Sequence, residues 1–454
     1  MYREEDLNAI KSNINNITNE GMRVYAEKYK EPSNEEYSNV KQAITEFMNT
    51  KGRILYGGYA QHLYAVKHGD YVYEELIERP DLEYYTPSPI EDMHQLCDEL
   101  HKKGFPFVEG KEGVHTGTYK VYVNGENACD IGYMNKFIFD NCPTLQLNCC
   151  KVAHPHFMLI DVYRVYTDPM TSWWRLRKSF DRNNLFIQYY PFNHKIEYNM
   201  SIYNLSKEVE KIKDYIRKEI IHQNNKYNLI VVGTYGYNHL VSKQNEGYIL
   251  PFQWYQLISL DLLNDAKKIH KLLKDKFGNV EVTEYYPFYE YYDAHFEFSI
   301  NGNVILKLYG SNKRCIPNYF SENKNTKYAS SQMIILYLLI DKFYNAINKR
   351  QKEAENCEYL LRSLFDVRDK YLEERKLTVI DNSPFKEFVI NCDSHGKPQD
   401  ILRESIVKQH LIIDKSKKKY LYKYKPSENK NQRIPEYKFP NCSGNKVIKK
   451  PRLR

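Results

Sequence analysis

Residues 56–63 read Tyr56-Gly57-Gly58-Tyr59-Ala60-Gln61-His62-Leu63, and residues 232–240 repeat the pattern as Val232-Gly233-Thr234-Tyr235-Gly236-Tyr237-Asn238-His239-Leu240. A second echo lies at the same offset: Tyr119-Lys120-Val121-Tyr122-Val123-Asn124-Gly125 returns as Phe296-Glu297-Phe298-Ser299-Ile300-Asn301-Gly302. Self-similarity at one fixed offset indicates internal duplication. The chain is therefore predicted to contain two structurally related units.

The two copies differ in their acidic residues. The first copy holds Asp81, Glu83 and Asp130, and the same offset in the second copy leads to Ile258, Leu260 and Lys307. Asp81 and Glu83 are two apart on a predicted strand, so their side chains should face the same side. Three carboxylates that converge from neighbouring strands can hold two Mg²⁺ ions and clamp a phosphoryl substitution. The first copy thus predicts a cation site and the second a scaffold.

An isolated Asp-x-Glu pair more often marks a polar strand edge, and Asp130 alone would be a surface acid near a turn. Two nearby sequence features favour a cation site over these alternatives. Gly57-Gly58 lies at a predicted strand-to-helix turn, where glycine lets the backbone approach a phosphate and the helix N-terminus face it. Asp130 follows the dipeptide Asn124-Gly125, which is typical of a type I′ hairpin.

The segment 172–182 is a predicted basic helix. Arg175, Lys178 and Arg182 have the spacing that places them on one helix face. They could steady a triphosphate or an RNA backbone. The alternative is a solvated basic face with Trp173 and Trp174 buried in the core.

Composition favours a globular protein. Of 454 residues, 42% are hydrophobic and 27% charged, and no apolar run of about 18 residues predicts a membrane span. We expect no secretory signal, because the first residues lack an apolar segment. The nine cysteines are an odd number without Cys-x-x-Cys spacing, which favours free thiols in a reducing compartment.

Positive charge is concentrated at the C-terminus. Residues 415–454 contain 14 Lys or Arg and two Glu, whereas the rest of the chain is mildly acidic. Such a tail attracts phosphate backbones, although it could also be a disordered solubilising or localising segment. We expect three regions: a first domain over 1–195, a related second domain over 196–380, and a C-terminal extension over 381–454 with little stable structure from 415.

Apolar periodicity and turn residues predict a mixture of helices and strands. Helices are predicted over 5–27, 34–50, 90–103, 172–182, 262–274, 330–346 and 350–374. Strands are predicted over 52–56, 81–85, 127–133, 157–163, 229–232 and 256–260. The predicted fold class is α+β, with mixed sheets and packed helices in both units.

This order of a strand, a Gly-Gly turn, a helix, an Asp-x-Glu strand and a hairpin with a third acid resembles the nucleotidyltransferase fold of the DNA polymerase β type. More specifically, residues 35–350 resemble the poly(A) polymerase catalytic subunits of large DNA viruses, especially giant viruses of amoebae. The resemblance is carried by Tyr56-Gly57-Gly58, by Asp81-Leu82-Glu83-Tyr84-Tyr85 with Pro89 and Asp92, by Asn127-Ala128-Cys129-Asp130-Ile131, and by Asp168-Pro169 with Trp174, Arg175 and Lys178.

The resemblance implies a template-independent polynucleotide adenylyltransferase that adds AMP from ATP to RNA 3′ ends. Asp81, Glu83 and Asp130 would be catalytic residues and ligands of two Mg²⁺ or Mn²⁺ ions, and the second domain would lack metal ligands. Nucleotide-binding residues would be Gly57, Gly58, Arg175 and Lys178.

It further implies a homodimer, and a location in the host cytoplasm at the viral factory or in the virion. Glu83 departs from the family pattern, because many nucleotidyltransferases have Asp there. Two alternatives remain open: another nucleotidyltransferase (uridylyl-, CCA-adding or small-molecule), and a non-catalytic RNA-binding scaffold.

Overall fold

The computed structural model describes residues 2–29, 33–113, 117–223, 226–243, 249–289, 291–311, 315–390, 422–428, 432–434, 448 and 452–453. Contacts divide the chain into two compact units. The first comprises Met1–Met134, Thr144–Ala153 and Val407–Lys438, and the second comprises Asn135–Pro143, His154–Ile406 and Phe439–Arg454. The predicted domain boundaries at 195 and 380 differ from this division by contacts and stay predictions.

The described helices are α1 (Glu4–Lys28), α2 (Asn34–Lys51), α3 (Gly57–Lys67), α4 (Glu75–Glu78), α5 (Pro89–Lys102), α6 (Lys136–Asn141), α7 (Pro155–Thr167), α8 (Pro169–Tyr189), α9 (Lys207–Ile216), α10 (Gly233–Val241), α11 (Leu262–Phe277), α12 (Ser331–Ile347) and α13 (Gln351–Arg375). A 3₁₀ turn over Met200–Ile202 and a π-helical turn over Arg217–Ile221 accompany them.

The described strands are β1 (Ile54–Tyr56), β2 (Leu82–Thr86), β3 (Val108–Glu112), β4 (Thr118–Val123), β5 (Glu126–Tyr133), β6 (Thr144–Leu147), β7 (Cys150–Ala153), β8 (Leu229–Val232), β9 (Tyr255–Ser259), β10 (Val280–Tyr285), β11 (His295–Ile300), β12 (Asn303–Gly310), β13 (Asn318–Phe320), β14 (Lys327–Ala329) and β15 (Lys423–Tyr424).

The described part of the first unit forms one mixed sheet in the order β15-β3-β4-β5-β2-β1-β7-β6. β1 is antiparallel to β2, and β2 is parallel to β5. Alternate residues of these strands, including Leu55, Leu82, Tyr84 and Ile131, are buried. Because successive strand side chains point to opposite faces, the polar residues between them occupy the other face.

The second unit repeats this architecture. Its described strands run β10-β11-β12-β9-β8-β14-β13, which corresponds one for one to β3-β4-β5-β2-β1-β7-β6 of the first unit. Every matched pair also has the same parallel or antiparallel direction. The predicted duplication and the α+β fold class are therefore confirmed.

The two hairpins form as the Asn-Gly dipeptides predict. Asn124 and Gly125 have φ values of 50° and 85°, and Asn301 and Gly302 have values of 49° and 74°. A type I′ turn requires positive φ at both central residues, which asparagine and glycine tolerate. Each turn therefore places its following strand beside the preceding one, and the first of these following strands carries Asp130.

One predicted strand was wrong. Residues 157–163 lie in α7, which begins with Pro155 at its first position and with the His154 side chain accepting from the His156 backbone N–H. Nearly every residue of α7 is buried. A helix that is covered all round has a continuous apolar sequence, which cannot be told from a buried strand by periodicity.

The expectation of little stable structure from 415 was wrong for residues 422–428. β15 pairs with the edge strand β3. Tyr424 stacks on the His94 ring at 3.7 Å between centroids, and its hydroxyl donates to Asp98 at 2.6 Å. Edge strands leave unpaired backbone groups, and β15 covers those of β3. Most of the remaining tail lies outside the described residues.

Cysteine chemistry differs from the expectation at one position. Cys97, Cys129, Cys142, Cys149, Cys150 and Cys357 are free, as expected, but Cys315 is disulfide-bonded. Within the described part of the chain, no helix combines the length and apolar character needed to cross a membrane.

Candidate active site

The turn between β1 and α3 lies directly against Glu83. Tyr56 pairs with Glu83 across β1 and β2, and the Gly58 backbone N–H donates to Glu83 Oε2 at 2.6 Å. Gly57 has a φ of +72°, and a Cβ at this position would lie 1.8 Å from Glu83 Oε2. Glycine is therefore required for two reasons, the left-handed backbone and the close approach of the carboxylate.

The three predicted acids come together on one face of the sheet. Glu83 and Asp130 are register partners on the parallel strands β2 and β5. Asp81 lies two residues before Glu83 and so faces the same side. Asn127 donates from Nδ2 to Asp81 Oδ2 at 2.7 Å and to Asp130 Oδ1 at 2.9 Å, so these two carboxylates are neighbours. All three acids are half-buried.

A lysine is bound to the third acid. Lys120 lies opposite Asp130 on β4, and its Nζ donates to both carboxylate oxygens, at 2.6 and 2.5 Å. Burial lowers the pKa of the Lys120 ammonium, but its hydrogen bond to Asp130 and the charge of that carboxylate outweigh burial and raise the pKa overall. The Lys120 side chain is therefore positively charged near neutral pH.

The ligand atoms that Asp81, Glu83 and Asp130 offer are of the type that divalent cations prefer. Hard cations take oxygen ligands, and the cluster offers three carboxylates. Among the residues that the structure describes, however, no group of three or more His, Cys, Asp or Glu side chains is already arranged to hold a metal ion. The Lys120 ammonium contacts both oxygens of Asp130. A metal ion would have to exchange with that ammonium.

The corresponding position of the second unit has lost every acid. Gly233 again has a positive φ, +66°, and a Cβ there would lie 2.1 Å from Gln256 Oε1. Gln256 is therefore the counterpart of Glu83, and Trp254, two residues earlier, corresponds to Asp81. Lys307 pairs in register with Gln256 and replaces Asp130, as predicted.

The predicted counterparts Ile258 and Leu260 were wrong. The connection from the glycine turn to the next strand is shorter in the second copy than in the first, so a fixed offset leads past the matching positions. The conclusion that the second unit lacks metal ligands is unchanged.

The two basic candidates, Arg175 and Lys178, lie on α8 of the second unit, whereas the three acids lie in the first. Both are exposed. The alternative that Trp173 and Trp174 are core residues was wrong, because their exposed fractions are 69% and 59%.

Asp92 and Asp168, the other two acids of the motifs that carry the resemblance, form structural contacts. Asp92 forms a two-point ion pair with Arg53 at 2.6 and 2.7 Å, which ties α5 to the residue before β1. Asp168 accepts from the Thr171 backbone N–H and caps α8. Carboxylates at a helix N-terminus satisfy free N–H groups.

Sequence reasoning missed two site residues, Lys120 and the amide of Asn127. Asn127 was part of a quoted motif, but nothing in the sequence gave it a role. Lys120 reaches Asp130 because a bulge shifts the β4–β5 register between Val121 and Tyr122. In a two-residue hairpin without a bulge, Lys120 would pair with Cys129. The Lys120 and Asp130 side chains would then point to opposite faces of the sheet.

The structure thus contains the features on which the resemblance to nucleotidyltransferases of the polymerase β type rests. A strand enters a helix through paired glycines, two acids lie at the next strand, and a third lies on its parallel neighbour. Comparisons with known proteins agree. Residues 42–172 match the family model described as "Poly(A) polymerase catalytic subunit", and residues 176–453 match "APMV, Putative poly(A) polymerase, catalytic subunit, C-terminal".

Similar proteins come from large DNA viruses. A "Putative poly(A) polymerase catalytic subunit" of Acanthamoeba polyphaga mimivirus is 27% identical over 98% of this chain and 83% of its own length. Its namesake in African swine fever virus (isolate Pig/Kenya/KEN-50/1950) is 33% identical over 33% of each chain. The Megavirus polyadenylate synthase crystal structure has a TM-score of 0.89 at 24% identity, over 99% of this chain and 93% of that one, which shows the shared fold.

The chain belongs to the poly(A) polymerase catalytic subunit family. It is therefore an enzyme, a polynucleotide adenylyltransferase. Membership implies ATP and RNA as substrates and divalent metal ions in general.

The contact between Lys120 and Asp130 leads to a prediction about metal affinity. Lys120→Gln should bind Mn²⁺ about tenfold more tightly than the unchanged protein, because a hydrogen-bonded charged partner of Asp130, worth about 1.5–3 kcal/mol, no longer competes. Mn²⁺ binding to the nucleotide-free protein is measured by electron paramagnetic resonance, so the readout does not depend on turnover.

Lys111→Gln is the matched control. Lys111 lies opposite Lys120 on the neighbouring strand β3, with its Nζ 3.9 Å from the centroid of the Tyr122 ring. This variant removes the same charge without touching Asp130. Equal Mn²⁺ affinities in the two variants would show that Lys120 acts only through the general field and not through Asp130.

Proposed function

We propose that the first unit transfers AMP from ATP to the 3′ hydroxyl of RNA without a template. The observation that supports it most strongly is the convergence of Asp81, Glu83 and Asp130 beside the Gly57-Gly58 turn. The same positions in the second unit carry no acid, so one active centre per chain is proposed.

The three acids would hold two Mg²⁺ or Mn²⁺ ions. Such ions, when bound, lower the pKa of the attacking hydroxyl and neutralise charge on the leaving pyrophosphate. Asn127 holds Asp81 and Asp130 at a fixed spacing through its two amide hydrogen bonds. The Gly58 backbone N–H is donated to Glu83, so the turn positions this carboxylate, and the start of α3 offers the positive end of a helix dipole to a phosphate.

Family membership supports adenylate transfer over uridylylation, CCA addition or modification of a small molecule, since a fold alone does not choose among them. A non-catalytic RNA-binding scaffold is disfavoured because the first unit keeps all three acids. At the same places the second unit carries Trp254, Gln256 and Lys307, none of which supplies a carboxylate.

The test is extension of a labelled oligoribonucleotide by the purified chain with Mg²⁺ or Mn²⁺ and each nucleoside triphosphate in turn. We expect a long ladder with ATP alone. Extension with another nucleotide would keep the chemistry and change the substrate. Tight RNA binding without extension under any condition would contradict the proposal and favour the scaffold.

The homodimer and the location in the host cytoplasm stay predictions. One observation supports assembly: α1 exposes Leu7, Ile14 and Ile17, apolar residues that a second copy could cover. Sedimentation of the whole chain, compared with an Ile14→Asp/Ile17→Asp variant, tests whether this helix holds copies together.

A further inference from the structure

α8 presents large aromatic side chains to solvent. The chain contains three tryptophans, and two of them, Trp173 and Trp174, are adjacent on this helix and mostly exposed. Their rings meet edge to face, with centroids 5.9 Å apart. Tryptophan is usually well buried, and two adjacent exposed indoles are a candidate interaction site.

Cations accompany both indoles. Arg177 lies four residues after Trp173, and Lys178 four residues after Trp174, so each ring has a positive side chain one turn along the same side of the helix. Arg175 is also exposed. The C-terminal half of α8 is anchored by the buried residues Asn183 and Phe186. We call the five residues Trp173, Trp174, Arg175, Arg177 and Lys178 the α8 platform.

This combination matches single-stranded nucleic acid. Bases stack on exposed aromatic rings without sequence preference, and flanking Lys and Arg follow the phosphates. A second copy of the chain is a poorer match, because a two-fold contact through the platform would bring its positive charges against themselves. A duplex fits less well too, since its bases are already stacked and cannot lie on the indoles.

We propose that the α8 platform holds the RNA acceptor, with bases stacked on Trp173 and Trp174 and phosphates bound by Arg175, Arg177 and Lys178. The proposal rests on the function proposed above. It assigns Arg175 and Lys178 to the acceptor strand, whereas the resemblance implied that they bind the nucleotide.

The test is titration of the whole chain with oligo(A), followed by quenching of tryptophan fluorescence and by anisotropy of labelled RNA. Trp173→Ala/Trp174→Ala should bind RNA at least tenfold more weakly, since stacking on each ring contributes a factor of this order. Arg175→Gln/Arg177→Gln should lower the slope of log affinity against log salt by about 0.7 for each lost phosphate contact.

Phe320→Ala is the matched control. Phe320 is an exposed aromatic residue of the same unit, 48% exposed, with Lys327 Nζ 5.1 Å from its ring centroid. Phe320 and Lys327 thus combine an exposed aromatic ring with a positive side chain outside α8. Both tryptophan substitutions are at exposed positions, so the variants should fold, and thermal melting verifies this.

Steady-state extension separates this proposal from the catalytic one. The tryptophan variant should have a raised KM for RNA, with an unchanged KM for ATP and an unchanged kcat at saturating RNA. RNA affinity equal to that of Phe320→Ala, a raised KM for ATP instead, or a loss of dimer without loss of RNA binding would each overturn the platform. If the wild-type chain binds RNA through these tryptophans but never extends it, RNA binding by the α8 platform is supported and the proposed AMP transfer is contradicted.

Discussion

Asp81→Asn, Glu83→Gln and Asp130→Asn should each lower AMP transfer by at least about 10³-fold. Each change removes one anionic ligand from a site whose proposed chemistry depends on divalent cations, and metal stabilisation of the transition state contributes several kcal/mol. The substitutions keep side-chain size, so the turn at Gly57 and the sheet should remain intact. The measurement is initial rate of primer extension with ATP.

Glu126→Gln is the control for this series. Glu126 is an exposed acid at the start of β5, the strand that carries Asp130. It loses the same charge a few residues away and should retain near-normal activity. RNA affinity should be unchanged in all four variants. Near-normal turnover of the three site variants would remove the basis for assigning catalysis to this cluster.

Gly57→Ala is expected to have the second-largest effect. Its left-handed backbone costs a non-glycine residue about 1–2 kcal/mol. In addition, the new methyl group would overlap Glu83, whose Oε2 lies 1.8 Å from the ideal Cβ position, so the carboxylate must move. We expect activity to fall by about 10²-fold, because misplacement by about 1 Å has effects of that order.

The chain offers an internal control for this substitution. Gly233→Ala meets the same backbone strain and a similar overlap, with Gln256 Oε1 at 2.1 Å. Denaturant unfolding should therefore show similar losses of stability in both variants. Only Gly57→Ala should lose activity below the unfolding transition. If Gly233→Ala loses as much activity, the effect of Gly57→Ala reflects folding and not the site.

Each unit has an ion pair at the same position of its hairpin, with the positive and negative residues exchanged. In the first, Lys120 on β4 binds Asp130 on β5, and in the second, Glu297 on β11 binds Lys307 on β12 at 2.9 Å. Both pairs depend on a bulge at the same place in the hairpin, with Ala128 or Ile305 as the extra residue. The charges are reversed between the two pairs: the acid lies on β5 in the first unit and on β11 in the second.

The sequence by itself determined the duplication, the turns, most helices and strands, and the three acids. Those features depend on local rules: glycine where φ is positive, Asn-Gly at hairpins, and alternation along a strand. The buried helix α7 was predicted as a strand because an uninterrupted apolar run has no period that distinguishes a helix from a strand.

Only the tertiary structure decided what surrounds the acids. Lys120 meets Asp130 because a bulge moves the register by one residue, and such a slip sends a side chain to the opposite face. The counterparts of Asp81 and Glu83 in the second unit, and the exposure of Trp173 and Trp174, likewise depend on which elements pack together. Spacing along the chain does not specify those contacts, since they join residues through strand pairing and burial.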